Sequence, residues 1–149
     1  MRPGVRIGVD VGRARVGVAR SDRDGLLATP VETVARGAGT IARLSELVTE
    51  FEPVEIVVGL PISLSGGDTA STTDARDFAA QLATASGVPV RLVDERLTTV
   101  SAQRALHDAG RRAKGSRPVI DQVAAVIILQ NALDFERTAA RPPGALIDL

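Results

Sequence analysis

The sequence predicts a single α/β domain built on a mixed sheet, and three observations carry that reading. Apolar residues alternate with polar or small ones through the first strands, the period of a half-buried sheet. At Ile41 the spacing changes to that of an amphipathic helix. From there apolar runs and helical stretches take turns, the pattern of βα units with parallel strands. The element order is therefore βββ-α-β-α-β-α-α.

The first strand is predicted over Val5 to Val11 in "RIGVDV". Val5, Ile7, Val9 and Val11 share one face; Arg6, Gly8, Asp10 and Gly12 share the other. Gly12-Arg13-Ala14 is a short turn, and Arg15 to Arg20 returns as a second strand. Leu26 to Val34 is a third, with Pro30 marking an edge position or a bulge. Ile41, Leu44, Leu47, Val48 and Phe51 form a helical stripe that Pro53 ends. "VEIVVGLP" is an apolar run of the kind buried in a parallel sheet. After the turn-rich "PISLSGGDT", Ser71 with Asp74 resembles a capping signal, and Ala75, Phe78, Ala79 and Leu82 mark a second helix. "VPVRLVDE" is the next strand. "TTVSAQRALHDAG" is a helix with Thr98 and Thr99 at its start and Gly110 at its end. "RRAKGSR" is a basic loop, Pro118 suits a first helical turn, and the last helix runs to about Arg137. The domain is expected to span residues 1–137, with 138–149 a loosely ordered tail.

Composition removes several kinds of chemistry. The chain has 149 residues, 44% hydrophobic and 24% charged, as an ordinary globular domain does. No apolar run approaches the ~18 residues of a membrane span and no signal segment is visible, so a cytoplasmic protein with no membrane partner is expected. Cysteine is absent, which excludes disulfides and thiolate chemistry, and a single histidine, His107, excludes histidine-rich zinc sites. Only three aromatic residues occur, too few for a base-stacking platform. Eighteen basic residues balance eighteen acidic ones, so any nucleic-acid contact must be local rather than a general basic footprint.

Against this background three carboxylate positions stand out. Asp10 lies inside a strand, where aspartate is disfavoured. Asp94 and Glu95 end another strand. Asp121 is placed in the first turn of the last helix, on one face with Ala124, Ala125 and Ile128. Small residues on that helix face, and Gly8, Gly17 and Ala19 on the sheet, allow a close approach. Each acid has a simpler reading. Asp10 could be a structural acid paired with Arg13 or Arg15; Asp94 or Glu95 could pair with Arg96 on a solvated turn; Asp121 could complement a helix dipole. Taken together, acids gathered in this way repel unless a cation holds them. Oxygen-only ligation suits Mg²⁺ or Mn²⁺, one or two ions. Such a cluster serves in-line phosphoryl displacement without a histidine base.

The blocks "GVDVGRARVGVA", "EIVVGLP", "DERLTTVSA" and "VIDQVAAVIILQ", in that order from Gly8 to about Leu133, resemble those of the YqgF/RuvX family. The members of that family carry the names pre-16S rRNA nuclease and Holliday-junction resolvase. The resemblance implies an RNase H-like fold: a mixed five-stranded sheet in the order 3-2-1-4-5 with helices on both faces. It implies metal ligation and catalysis by Asp10, Glu95 and Asp121. Strand alternation sends Asp94 and Glu95 to opposite faces, and Glu95 is favoured. Where many members have a lysine before the last acid, this chain reads "KGSRPVID", so Arg117 or Lys114 stands in for it.

Between Arg91 and Arg117 lie seven basic residues (Arg91, Arg96, Arg104, Arg111, Arg112, Lys114 and Arg117) against three acidic ones. Arg111, Arg112, Lys114 and Arg117, with Arg13 and Arg96, are the candidate phosphate contacts; the same loop also reads as a solvated helix connection. The expected function is a metal-dependent nuclease on structured nucleic acid, trimming the 5′ end of precursor 16S rRNA or, alternatively, cutting branched DNA. A resolvase would act as a homodimer. A non-catalytic nucleic-acid binder on the same fold would not need all three acids. A sugar kinase or actin-like ATPase would need a second domain of this kind.

Overall fold

A computed structural model describes residues 1–95 and 117–147, with the side chains of 117–120 excepted. Strands β1 (Arg6–Val11), β2 (Arg15–Ser21) and β3 (Ala28–Ala35) form an antiparallel meander. Helix α1 (Thr40–Phe51), β4 (Glu55–Leu60), α2 (Ala70–Ser86) and β5 (Val90–Asp94) follow, then α3 (Arg117–Ala139) and a short β6 (Ala145–Leu146). The sheet order is β3-β2-β1-β4-β5-β6, with β1, β4 and β5 parallel. This contains the expected order 3-2-1-4-5. The addition is β6, antiparallel to β5 through Arg91↔Leu146 and Leu92↔Ala145. The segment read as a loose tail thus contributes an edge strand. Two residues of backbone pairing leave almost no hydrophobic period to read in a sequence.

Pro30 stands on an edge strand, and the β2–β3 register shifts between Val18 and Ala19, where Ala19 pairs with Pro30 and Val18 with Glu32. Both parts of the expectation for Pro30 therefore hold. The α2 start differs from expectation. Thr69, not Ser71, is the N-cap, and its side chain and that of Thr72 satisfy each other's backbone N–H groups. Asp74 instead forms a bidentate pair with Arg36, at 2.7 and 2.8 Å.

The sheet divides the core in two. Ile7, Val9, Val16, Val18, Ile56, Val58 and Val90 pack against Leu44 and Leu47 of α1 and Phe78, Ala79 and Leu82 of α2. On the other face Ala19, Ala28 and Val57 pack against Ala125, Ile128, Leu129, Ala132 and Leu133 of α3. Strand β4 is buried along its whole length, which is why it reads as a continuous apolar run.

Helix α3 crosses this second face against small residues. A Cβ on Gly8 would stand 2.6 Å from Leu129 Cβ and 3.0 Å from the Ala125 carbonyl oxygen. The end of α3 is fixed by buried charges. Glu136 accepts from Arg2 Nη2 at 2.6 Å and Arg6 Nη2 at 3.0 Å, while Glu55 accepts from Arg2 Nη2 and Arg91 Nε, each at 2.7 Å. This network ties the N-terminal segment, β1, β4, β5 and α3 at one pole of the sheet. The acids identified in the sequence lie at the other.

Candidate active site

Asp10 is near the C-terminal end of β1, a strand with β2 on one side and β4 on the other. It follows Gly8 on the face that α3 covers, and its partner across β2 is Gly17. Gly17 has no side chain to fill the space, because the backbone of Asp121 occupies it: a Cβ there would overlap the Asp121 carbonyl oxygen. The close approach expected between the Asp10 face and the last helix is thus made at Gly17 and Asp121 themselves. Helix α3 begins at Arg117, so Asp121 lies in its second turn rather than, as the sequence predicts, its first.

Glu95 follows the last residue of β5, and its N–H donates to the Leu60 carbonyl at 3.3 Å, continuing the sheet by one residue. Val93 packs on the α3 side and Leu92 on the α1/α2 side. Strand alternation therefore gives Glu95 the α3 side and Asp94 the other. Gly59, on the neighbouring β4, leaves the room that Glu95 uses: a Cβ there would stand 2.5 Å from Glu95 Oε1. Within the apolar run "EIVVGLP" nothing in the period marks Gly59 as the position that makes this room.

The electrostatics join the three acids. Burial, and then the charge of Asp121, push the Asp10 carboxyl up to about 6. Burial, then the charge of Asp10, then that of Asp94, push Glu95 up to about 7. Asp10 is therefore electrostatically coupled to both of the other acids. Like charges held in a partly dry setting raise each other's proton affinity, and a divalent cation would relieve them. The donor set consists of carboxylate oxygens alone, which suits a hard ion such as Mg²⁺ or Mn²⁺. Among the described residues, no three such side chains are gathered tightly enough around one point to grip an ion as they stand.

Arg15 engages one of the three acids. Its Nε donates to Asp121 Oδ2 at 2.9 Å. Arginine at position 15 was one candidate partner for Asp10, but the structure gives it to Asp121. Strand alternation puts Arg15 on the β2 face with Gly17 and Ala19, the side that α3 covers, without choosing between Asp10 and Asp121. Arg13 is exposed in the β1–β2 turn, and its charge is among those that lower Asp74. Arg36, for which the sequence offers no local signal, fixes this turn by donating to the Gly12 carbonyl at 2.9 Å while it grips Asp74 and lies 5.1 Å over the Phe78 ring. Arg96, Arg111, Arg112 and Lys114, together with Thr98, Thr99 and His107, lie outside the described residues, as does the Arg117 side chain.

The chain matches, over residues 4–135, the model of a family described as "RuvX: Holliday junction resolvase". Among curated relatives, a protein of Clavibacter michiganensis is 60% identical over 99% of this chain and 93% of its own length. One of Streptomyces coelicolor is 54% identical over 100% and 91%. Both are named "Putative pre-16S rRNA nuclease". Among solved structures, Thermus thermophilus RuvC in complex with a Holliday-junction substrate aligns with a TM-score of 0.63. The alignment covers 94% of this chain and 99% of that one at 20% identity, a likeness of fold. With the family model spanning nearly the whole chain and the relatives more than half identical, the chain belongs to the RuvX family.

Proposed function

We propose that this protein is a metal-dependent nuclease that hydrolyses phosphodiester bonds of structured nucleic acid, with precursor 16S rRNA, trimmed at its 5′ end, as the substrate. The observation that carries the chemistry is the electrostatic coupling of Asp10, near the C-terminal end of the interior strand β1, to both Asp121 and Glu95. The names of relatives at 53–60% identity carry the choice of RNA over branched DNA.

Asp10, Glu95 and Asp121 would hold one or two Mg²⁺ or Mn²⁺ ions. When bound, such ions polarise the scissile phosphate, lower the pKa of the attacking water and stabilise the leaving oxygen. The protein supplies the frame. Asp10 is set in a strand paired on both sides, so its position is fixed by the sheet. Gly17 and Gly59 keep side chains out of the space where Asp121 and Glu95 approach it. Arg13, Arg96, Arg111, Arg112, Lys114 and Arg117 would hold the backbone phosphates on either side, orienting the strand without reading its bases.

The action belongs in the cytoplasm, where ribosomal precursors are processed; among the described residues no helix is long and apolar enough to cross a membrane. A monomer suffices for a single cut, whereas resolving a four-way junction needs a homodimer with two sites.

The test is cleavage of precursor 16S rRNA and of a four-way DNA junction, each with Mg²⁺, with Mn²⁺ and with chelator, by wild-type and Asp10→Asn protein. Metal-dependent shortening of the rRNA 5′ end by wild-type protein, lost in the variant, supports the reading. Cutting of the junction alone would transfer the substrate to branched DNA. Binding to both with no cutting of either would leave a nucleic-acid-binding protein.

A further inference from the structure

We propose that Arg15 is a displaceable counter-ion: its guanidinium holds the Asp121 carboxylate in the metal-free protein and gives it up when a divalent cation binds between Asp121 and Asp10. The inference rests on the metal-site reading above and adds a residue to it.

Four features of the pair suit exchange. The contact is a single one, from Nε to Oδ2 at 2.9 Å. Arg36 on Asp74 and Arg43 on Glu32 grip with two nitrogens, and the one-nitrogen contacts of Arg6 with Glu136 and Arg91 with Glu55 lie in a buried network, whereas the Arg15 contact is both single and half-open. A one-point contact lacks the geometric hold of the fork. The pair is also wet, with the Arg15 side chain 35% and that of Asp121 24% exposed, so water screens it.

The backbone under Arg15, in contrast, is fixed. Its carbonyl accepts from Gly12 N–H at 2.9 Å and its partner across β3 is Ala35. Exchange therefore requires only that a long side chain change rotamer. Finally, Asp121 must be free to ligate. Its backbone carbonyl lies against Gly17, which bars a closer approach of the helix to β2, so sharing an ion with Asp10 is a matter of turning the two side chains apart. A doubly charged hard cation outcompetes a one-point guanidinium contact for such a carboxylate. The freed guanidinium then stands beside the ion, where a nucleic-acid phosphate is the natural next partner.

The test compares Mn²⁺ binding, by calorimetry without nucleic acid, for wild type, Arg15→Gln, Arg15→Lys, Arg20→Gln and Asp10→Asn. Arg20 is on the same strand, but its guanidinium lies over the Phe51 ring, 4.8 Å from its centroid, so it controls for the loss of one charge. Arg15→Gln should bind Mn²⁺ about two- to fivefold more tightly, the range that a partly exposed ion pair supports. Arg15→Lys, which keeps the competing charge, should stay near wild type, and Arg20→Gln should be unchanged. The Arg15 Nε–H resonance of wild-type protein should shift on saturation with Mg²⁺. Unchanged or weaker Mn²⁺ binding by Arg15→Gln, or an Nε–H signal indifferent to Mg²⁺, would overturn the proposal. If Asp10→Asn binds Mn²⁺ as wild type does, the metal site itself is wrongly placed; if it loses Mn²⁺ while Arg15→Gln matches wild type, only the role of Arg15 fails.

Discussion

Gly17 of β2 and Asp121 of α3 touch through their backbones, with the Asp121 carbonyl oxygen filling the place of a Gly17 side chain. Since Gly17 is also the cross-strand partner of Asp10, one glycine sets the spacing between two of the three acids. The far end of α3 is held by Glu136 and its arginines. The helix is thus fixed at two points, and the site lies beside one of them.

Adding a single methyl at Gly17 should push α3 off the sheet. Gly17→Ala is expected to cost roughly 1–3 kcal/mol, the range of core overpacking, and to reduce cleavage because Asp121 moves with its backbone. Gly37→Ala, where a Cβ meets nothing within 4 Å, should stay within about 0.5 kcal/mol of wild type. Urea unfolding of both variants checks the contrast; equal stability of the two would show that the Gly17 contact relaxes freely.

The metal-free stability of the site should depend on pH with a definite sign. Asp10 binds its proton more tightly folded, about 6, than at its ordinary 3.8. Its ionisation therefore opposes folding. The penalty is absent below about pH 3.8, grows as pH rises, and is complete above about 6. Asp10→Asn removes it, so the variant should gain on wild type through that window, by up to roughly 3 kcal/mol, when both are unfolded in chelator. A stability difference that is flat from pH 4 to 7 would show that Asp10 is not strained by charge. Excess Mg²⁺ should narrow the difference by stabilising wild type alone.

At the other pole the sign reverses. The arginines hold Glu136 down at about 2 against the opposing effect of burial, so its contribution is present above its ordinary 4.5 and is lost as pH falls through about 2. Glu136→Ala leaves Arg6, 1% exposed, without its carboxylate partner. Breaking a buried pair in this way costs about 3–5 kcal/mol. Thermal unfolding at pH 7 measures it; a loss below about 1 kcal/mol would mean that the network reorganises around the gap.

Much of this was legible in the sequence because period and chemistry agreed. The alternation of Ile7 and Val9 with Gly8 and Asp10 assigns both faces of β1, and the continuous "EIVVGL" announces a strand covered on both sides. The small residues Gly8, Gly17 and Ala19 mark a sheet face that a helix can approach closely. What was missed depends on pairings distant in sequence. Arg15 and Asp121 are separated by more than a hundred residues, and nothing local tells Arg15 to choose Asp121 over Asp10. The same holds for the Arg2–Glu55–Glu136 network. Arg6 reads as a charged residue at a strand start, yet it is almost wholly buried because Glu136 arrives from the last helix. The sequence does not single out Thr69 as the cap, because serine, threonine and aspartate crowd that helix start and several spacings satisfy a capping pattern.

The basic loop has a test of its own. If Arg111, Arg112, Lys114 and Arg117 hold phosphates, neutralising two of them should weaken binding to all nucleic-acid sequences alike. It should also flatten the slope of log K against log salt by about 0.7–0.9 per lost contact. The metal requirement should not change. The zero net charge of the chain leaves little diffuse attraction to hide the effect. An unchanged slope would assign the phosphate contacts to Arg13 and Arg96 instead.

The most direct test of the metal site is an anomalous-diffraction map from crystals of this protein soaked in Mn²⁺. One or two peaks should appear beside the Asp10 carboxylate, within about 2.0–2.3 Å of oxygens from Asp10 and from Glu95 or Asp121. Asp121 should have turned from Arg15 wherever it is a ligand. Mn²⁺ bound elsewhere on the molecule, with no peak at Asp10 and Asp121 still paired with Arg15, would contradict the assignment of these three acids as the metal site.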